Sequence, residues 1–304
     1  MRALALVHLE GRIPDDPEVR LAQRNSLLRG SVARVIEGLV QSEDTDSYDT
    51  LFLPRYRAPY HRLIALAEMG APIDQRIENL LGRILNVFIK PDGGFGRTTG
   101  HVCVTGNIVR ASENFGRGDD SRIEGGIQWL IAHQRSDGGW NCFPEDEPNS
   151  TLDSWEPLAA LGTIPESRRS PAIRHAIEAG VEFLLEQNLG VGKGYEPWLR
   201  IHFPRHYYYD FLLGLELATS LGDPADPRLK PALDLLLSKK SAEGRWSLDD
   251  THPDVDPEGD PPYKPIYDEM MRDKPKNKLE IEPPGEPSRW ATLSAMRIIQ
   301  RARP

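Results

Sequence analysis

Residues 124–140 read EGGIQWLIAHQRSDGGW. Ile123, Ile127, Leu130 and Ile131 recur at helical spacing, so the first half is an amphipathic helix. Gly138 and Gly139 end it, because glycine reaches the positive φ that a helix C-terminus often needs. The order within the stretch is Gly126, Trp129, Leu130, Gln134 and then Asp137-Gly138-Gly139-Trp140. Gln134 can give its amide to backbone groups freed at the helix end, and Trp140 can pack back over it. The stretch is a helix-end clasp.

The clasp recurs. Ile73, Ile77, Leu80, Leu81 and Ile84 form a helical stripe closed by Asp92-Gly93-Gly94-Phe95. Ile173, Ile177, Val181, Leu184 and Leu185 form another, followed by Gln187 and Gly192-Lys193-Gly194-Tyr195. A fourth runs through Leu229, Leu233 and Leu236 to Glu243-Gly244-Arg245-Trp246. The closing aromatics Phe95, Trp140, Tyr195 and Trp246 lie roughly 50 residues apart, the range in which internal repeats build rings and solenoids. A second helix fits after each closure, at 105–115, 150–161, 206–221 and 289–299.

Gly126, Trp129, Leu130, Gln134, Gly138 and Trp140 resemble the QW motif of squalene-hopene and oxidosqualene cyclases position by position. The shorter closures resemble the degenerate copies in that family and in protein prenyltransferase β subunits. The resemblance spans about 59–299. It implies an all-α fold, an α/α toroid of about five or six hairpins with inner and outer helix rings. Activity does not follow from the fold, since one fold hosts many chemistries. Full-length squalene cyclases resemble two such toroids in tandem, so this chain of 304 residues is expected to be one toroid, a single domain over 1–304.

A net charge of −9 argues against a nucleic-acid partner, which needs a basic stripe. No apolar run approaches the length of a membrane span. The N-terminus lacks a small-residue cleavage site, and two cysteines are too few for a disulfide framework. These features predict a soluble, cytoplasmic protein.

Residues 19–40 are expected to be one long helix closing the ring from outside, and 57–69 an inner helix. Residues 247–287 are rich in Pro, Asp, Glu and Lys with little periodicity. A stretch of that kind is either a solvated excursion or a functional loop, here a lid over the barrel mouth.

Residues following each glycine turn begin the inner helices and can face the central cavity. This places His101, Cys103, Cys142, Asp153, Trp198, His202, His206, Asp210, Arg289 and Trp290 around one rim. Thiolate and imidazole together suit zinc, so Cys103, Cys142, His202 and His206 are the expected ligands. Prenyltransferase β subunits resemble this arrangement, holding zinc with Asp, Cys and His. Their Asp-x-Cys pair is missing here, because His101 and Trp140 precede Cys103 and Cys142 by two. The plainer reading makes both cysteines small buried hydrophobes.

Squalene-hopene cyclases protonate an alkene with an Asp-x-Asp-Asp motif, which this sequence lacks. Asp249-Asp250-Thr251-His252-Pro253-Asp254 loosely resembles the magnesium box of ionising terpene synthases, but reads better as a solvated acidic loop. Asp153 and Asp210 remain as acid or base candidates, with His206 as partner. Trp155, Trp198, Tyr208 and Trp290 could line the cavity, where aromatic faces stabilise cations, or simply pack the core. The expected function is a small cyclase- or prenyltransferase-like enzyme acting on an apolar, isoprenoid-type molecule in the barrel. The alternatives are a zinc-dependent hydrolase or lyase on the same scaffold, and a non-catalytic ligand carrier.

Overall fold

The computed structural model describes residues 1–39, 46–53, 55–142, 149–251, 279 and 281–303. Helices α1 (Arg2–His8), α2 (Pro17–Leu28), α3 (Ser31–Glu37) and α4 (Tyr48–Phe52) come first. Alternation then begins. The inner ring is α5 (Pro59–Glu68), α7 (Val102–Asn114), α9 (Glu156–Thr163), α11 (Phe211–Leu221) and α13 (Arg289–Arg301). The outer ring is α6 (Gln75–Phe88), α8 (Ser121–Ala132), α10 (Pro171–Glu186) and α12 (Lys230–Ser238). Successive inner helices pack side by side, and each outer helix packs on an inner neighbour. The fold is an all-α toroid.

Burial separates the two rings. On α6 one stripe is buried, Ile77, Leu80, Leu81, Ile84, Leu85 and Phe88. On α7 every residue from Val104 to Ser112 is buried, polar ones included. A helix enclosed on all sides loses its amphipathic period, which is why the inner helices read less clearly in sequence. Helix starts are set by side-chain caps: Asp74 for α6, Asp120 for α8, Ser170 for α10, Asp210 for α11 and Ser288 for α13.

Three glycine turns repeat bond for bond. Lys90, Arg135 and Ser241 N–H groups donate to the carbonyls of Gly94, Gly139 and Arg245 at 2.9, 3.0 and 2.8 Å. Gly93, Gly138 and Gly244 take φ of +90°, +86° and +78° at equivalent places. Asp92 and Asp137 each accept from the second glycine of the turn and from a residue entering the next inner helix segment, Gly100 and Ser150. The Trp140 and Trp246 indoles donate back to Leu130 and Leu236 carbonyls at 2.9 and 2.7 Å. Gln134 donates to Gly138 and also to Ala176 of the next outer helix, both at 2.8 Å. The clasp therefore joins neighbouring hairpins as well as closing its own.

Two expectations change. The third closure does not use Tyr195, which is 50% exposed; Leu189 is fully buried there instead, with Asn188 and Leu189 in left-handed backbone. The helix expected over 19–40 is broken at Gly30, which takes φ +88° between α2 and α3. With that bend, α3 packs on α5, and His8 of α1 comes within charge range of Arg297 on α13. The N-terminal helices thus lie against both ends of the inner ring.

Ends of the 247–287 stretch are pinned together: β1 (Trp246–Ser247) pairs antiparallel with β2 (Pro287–Ser288). The lid reading falls on 252–278 and 280, outside the described residues. Among the described residues, no helix is long and apolar enough to cross a membrane.

Candidate functional site

Two clasp exits converge. His101 occupies the N-cap position of α7, and Cys103 lies in its first turn. Cys142 follows Trp140, and its backbone N–H donates to Ser154 Oγ at 3.1 Å, which ties it to the approach to α9. The Cys103 N–H donates to Cys142 Sγ at 3.2 Å, so that sulfur sits on the positive end of α7. His101 Nδ1 is 3.5 Å from Cys103 Sγ. One donor atom from each of the three residues lies within 4.8 Å of the others. Hydrogen bonds from Cys103 and His101 hold the Cys142 thiol down, at about 5, against its burial. Sharing that bond with Cys142, together with burial, pushes the Cys103 thiol up.

The two cysteines are brought together. His202 and His206 are not with them. His202 is spent on structure: its Nδ1 pairs with Asp210 at 3.1 Å, and Nε2 meets the Tyr208 carbonyl at 3.1 Å. Asp210 is committed likewise, accepting from the Leu213 and His202 N–H groups at 2.7 and 3.1 Å. Burial would raise its carboxyl, but His202 and Arg205 bring it below the usual range. His206 joins a buried ring cluster, 5.2 Å from Tyr56 and 5.5 Å from His61 between centroids. Asp153 is exposed and accepts from the Trp198 indole at 3.0 Å.

The aromatic candidates do not share one wall. Trp155 is buried beneath the Arg110 guanidinium, 4.9 Å from its ring centre. Trp290 stacks on Phe203 at 4.7 Å. Tyr208 meets His202 edge-on. Tyr48, Phe52, Tyr60 and Phe88 instead form an aromatic cluster in the core, with centroids 4.5–5.5 Å apart through Tyr48–Phe88, Tyr48–Phe52, Phe52–Tyr60 and Tyr60–Phe88. Behind Trp155, a cavity of ≈ 10 Å³ between Trp140, Leu158 and Phe183 holds one water at most.

Sequence reading missed Glu156. It opens α9, is 0% exposed, and neither carboxylate oxygen has a hydrogen-bond partner among the described residues. Gly106 lets it in: a Cβ there would come 2.9 Å from the Glu156 Cβ and 2.7 Å from its carbonyl carbon. Burial, then the nearby Cys142 charge, push its carboxyl well above the usual range, against the opposing effects of its own backbone N–H and of Arg110. Glu156 therefore holds its proton more tightly than an ordinary carboxyl does. The only available signal was a charged residue inside an otherwise apolar inner-helix stretch, Trp155-Glu156-Pro157-Leu158. His101 was visible by its two-residue spacing to Cys103.

No family model matches this sequence, and no curated protein sequence matches it. Among solved structures, a protein from Actinoplanes is similar over 90% of this chain and 75% of that one, at 15% identity and a TM-score of 0.47. The type II terpene cyclase MstE from Scytonema is similar over 73% of this chain and 81% of that one, at 14% identity and a TM-score of 0.33. A variant of MstE in complex with geranylgeranyl dihydroxybenzoate gives 74% and 82%, 13% identity and a TM-score of 0.35. At these scores the likeness carries no inference about the site.

Proposed function

We propose that this chain is a small-molecule enzyme in which Glu156 gives a proton to an apolar, isoprenoid-type substrate bearing an oxygen function. The observation that supports it is the buried Glu156 carboxyl, which no described residue satisfies. An unsatisfied buried polar group costs about 1–3 kcal/mol, and a methionine or leucine of similar size would avoid that. The Tyr60 hydroxyl, on the aromatic cluster, lies within electrostatic reach of this carboxyl. Aromatic surroundings of that kind suit the apolar part of such a substrate.

The raised pKa narrows the chemistry. It holds the proton more tightly than an ordinary carboxyl would and makes Glu156 a mild acid. A mild acid protonates an ether, epoxide, alcohol or ester oxygen as its bond breaks, and transfers poorly to an unactivated alkene. Asp153, exposed and near enough for the two charges to interact, would return the proton from solvent.

The test is a panel of isoprenyl alcohols, epoxides, esters and diphosphates followed by mass spectrometry. Glu156→Gln should cut conversion about 10²–10⁴-fold, the range for loss of a positioned acid, with the melting temperature held or raised. Conversion undiminished in Glu156→Gln, or no binding of any apolar member, sinks the reading. The zinc-dependent hydrolase or lyase reading is favoured by a different observation, the meeting of His101, Cys103 and Cys142.

A further inference from the structure

The geometry points to a metal centre in which His101, Cys103 and Cys142 hold one zinc ion at the N-terminal end of the inner helices. The inference does not depend on the Glu156 reading, since a purely acid-driven enzyme needs no ion. Three residues from two separate clasp exits bring two sulfurs and an imidazole nitrogen to one place. Both cysteines are half-buried at the edge of the core, while the clasps themselves are closed by Phe95 and Trp140, each at most 2% exposed.

Donor chemistry selects the ion. Two thiolates and an imidazole suit zinc, and exclude calcium and magnesium, which take oxygen. Sulfur at about 2.3 Å and nitrogen at about 2.0–2.1 Å from one ion lie roughly 3.5–3.8 Å apart in a tetrahedron. The three donors, all within 4.8 Å of one another, need to contract by about an ångström at most.

The backbone is prepared for the charge. The Cys103 N–H already points at Cys142 Sγ at 3.2 Å, the arrangement that orients a metal-bound thiolate. Ser154 fixes the Cys142 backbone. Three protein donors leave a fourth position, as in catalytic rather than structural zinc sites. Zinc at such a position supplies a Lewis acid and an acidified water. His202 cannot serve, because both of its ring nitrogens face internal acceptors.

The experiment uses the whole chain, reduced and stripped with chelator, then titrated with Co²⁺ and with Zn²⁺. One Co²⁺ per chain should bind, with sulfur-to-cobalt charge transfer in the near ultraviolet and tetrahedral bands in the visible. Zn²⁺ should displace it and raise the melting temperature. Cys103→Ser, Cys142→Ser and His101→Ala should each weaken binding at least tenfold and alter these bands. Glu156→Gln and His206→Gln should keep one ion per chain. Melting of the metal-free variants checks that they fold. If a variant fails to fold, the wild-type bands and stoichiometry decide alone. Reduced wild type that takes up no ion overturns the proposal. So does cobalt bound without sulfur charge transfer, or a folded variant of the three that binds as tightly as wild type. A chain isolated with a Cys103–Cys142 disulfide, two hydrogens lighter, that takes up no ion after reduction has the same meaning.

Discussion

Glu216→Gln should cost this protein about 3 kcal/mol at pH 7, and the loss should fade in acid. Glu216 lies on α11, where Arg205 and Ser294 bind one of its oxygens at 2.8 and 3.2 Å and Arg297 the other at 2.7 Å. Arg205 also reaches Glu68 on α5, so one carboxylate organises three inner helices and the connector that carries His206. Burial alone would raise its pKa. Arg205 and Arg297 override that and bring it from an ordinary 4.5 to about 2.

The sign follows. A depressed folded-state pKa adds stability that is complete above the ordinary value and is lost as pH falls towards 2. Lowering the pKa from 4.5 to about 2, at about 1.36 kcal/mol per tenfold change in proton affinity, gives the ~3 kcal/mol. Urea melts followed by far-ultraviolet circular dichroism, at half-unit steps from pH 3 to 7, should show the wild-type-minus-variant gap falling to about half near pH 3. A gap that stays constant with pH would falsify the electrostatic account and leave only a packing effect. Removing one member of a buried pair commonly costs about 3–5 kcal/mol, so a loss below 1 kcal/mol would refute the lock itself.

Other outcomes follow from the clasps and caps. Trp140→Ala should destabilise by roughly 3–5 kcal/mol, because a buried indole and its bond to Leu130 are both lost; a melt within error of wild type would make the clasp decorative. Gly138→Ala should destabilise by more than the ~1–2 kcal/mol of a left-handed residue, since its Cβ would sit 2.3 Å from the Ala179 carbonyl, whereas Gly192→Ala, in open space at φ +80°, should show only that backbone cost in the same thermal assay. Asp210→Ala should lose about 3–5 kcal/mol by breaking the cap of α11 and the pair with His202, yet leave metal stoichiometry unchanged. A folded Asp210→Ala protein that binds no metal would contradict the separation of the two sites.

By itself the sequence determined the ring. Periodic stripes on α6, α8 and α10 and the recurrent glycine turns are local features, and local φ and 3.6-residue spacing need no partner to be read. The same locality exposed Cys103 and Cys142 as residues leaving successive turns. Tertiary structure decided everything that depends on which inner faces meet. His101 joined the cysteines and His202 did not, because His202 found Asp210 and a carbonyl within its own connector. Tyr195 gave way to Leu189, since two left-handed residues turned the chain earlier than the glycines alone suggested. Glu156 stayed hidden because its significance is an absence of partners, and that exists only once α7 approaches α9 across Gly106. Spacing along a chain encodes helices and turns; the satisfaction of a buried carboxyl depends on neighbours distant in sequence, which spacing does not record.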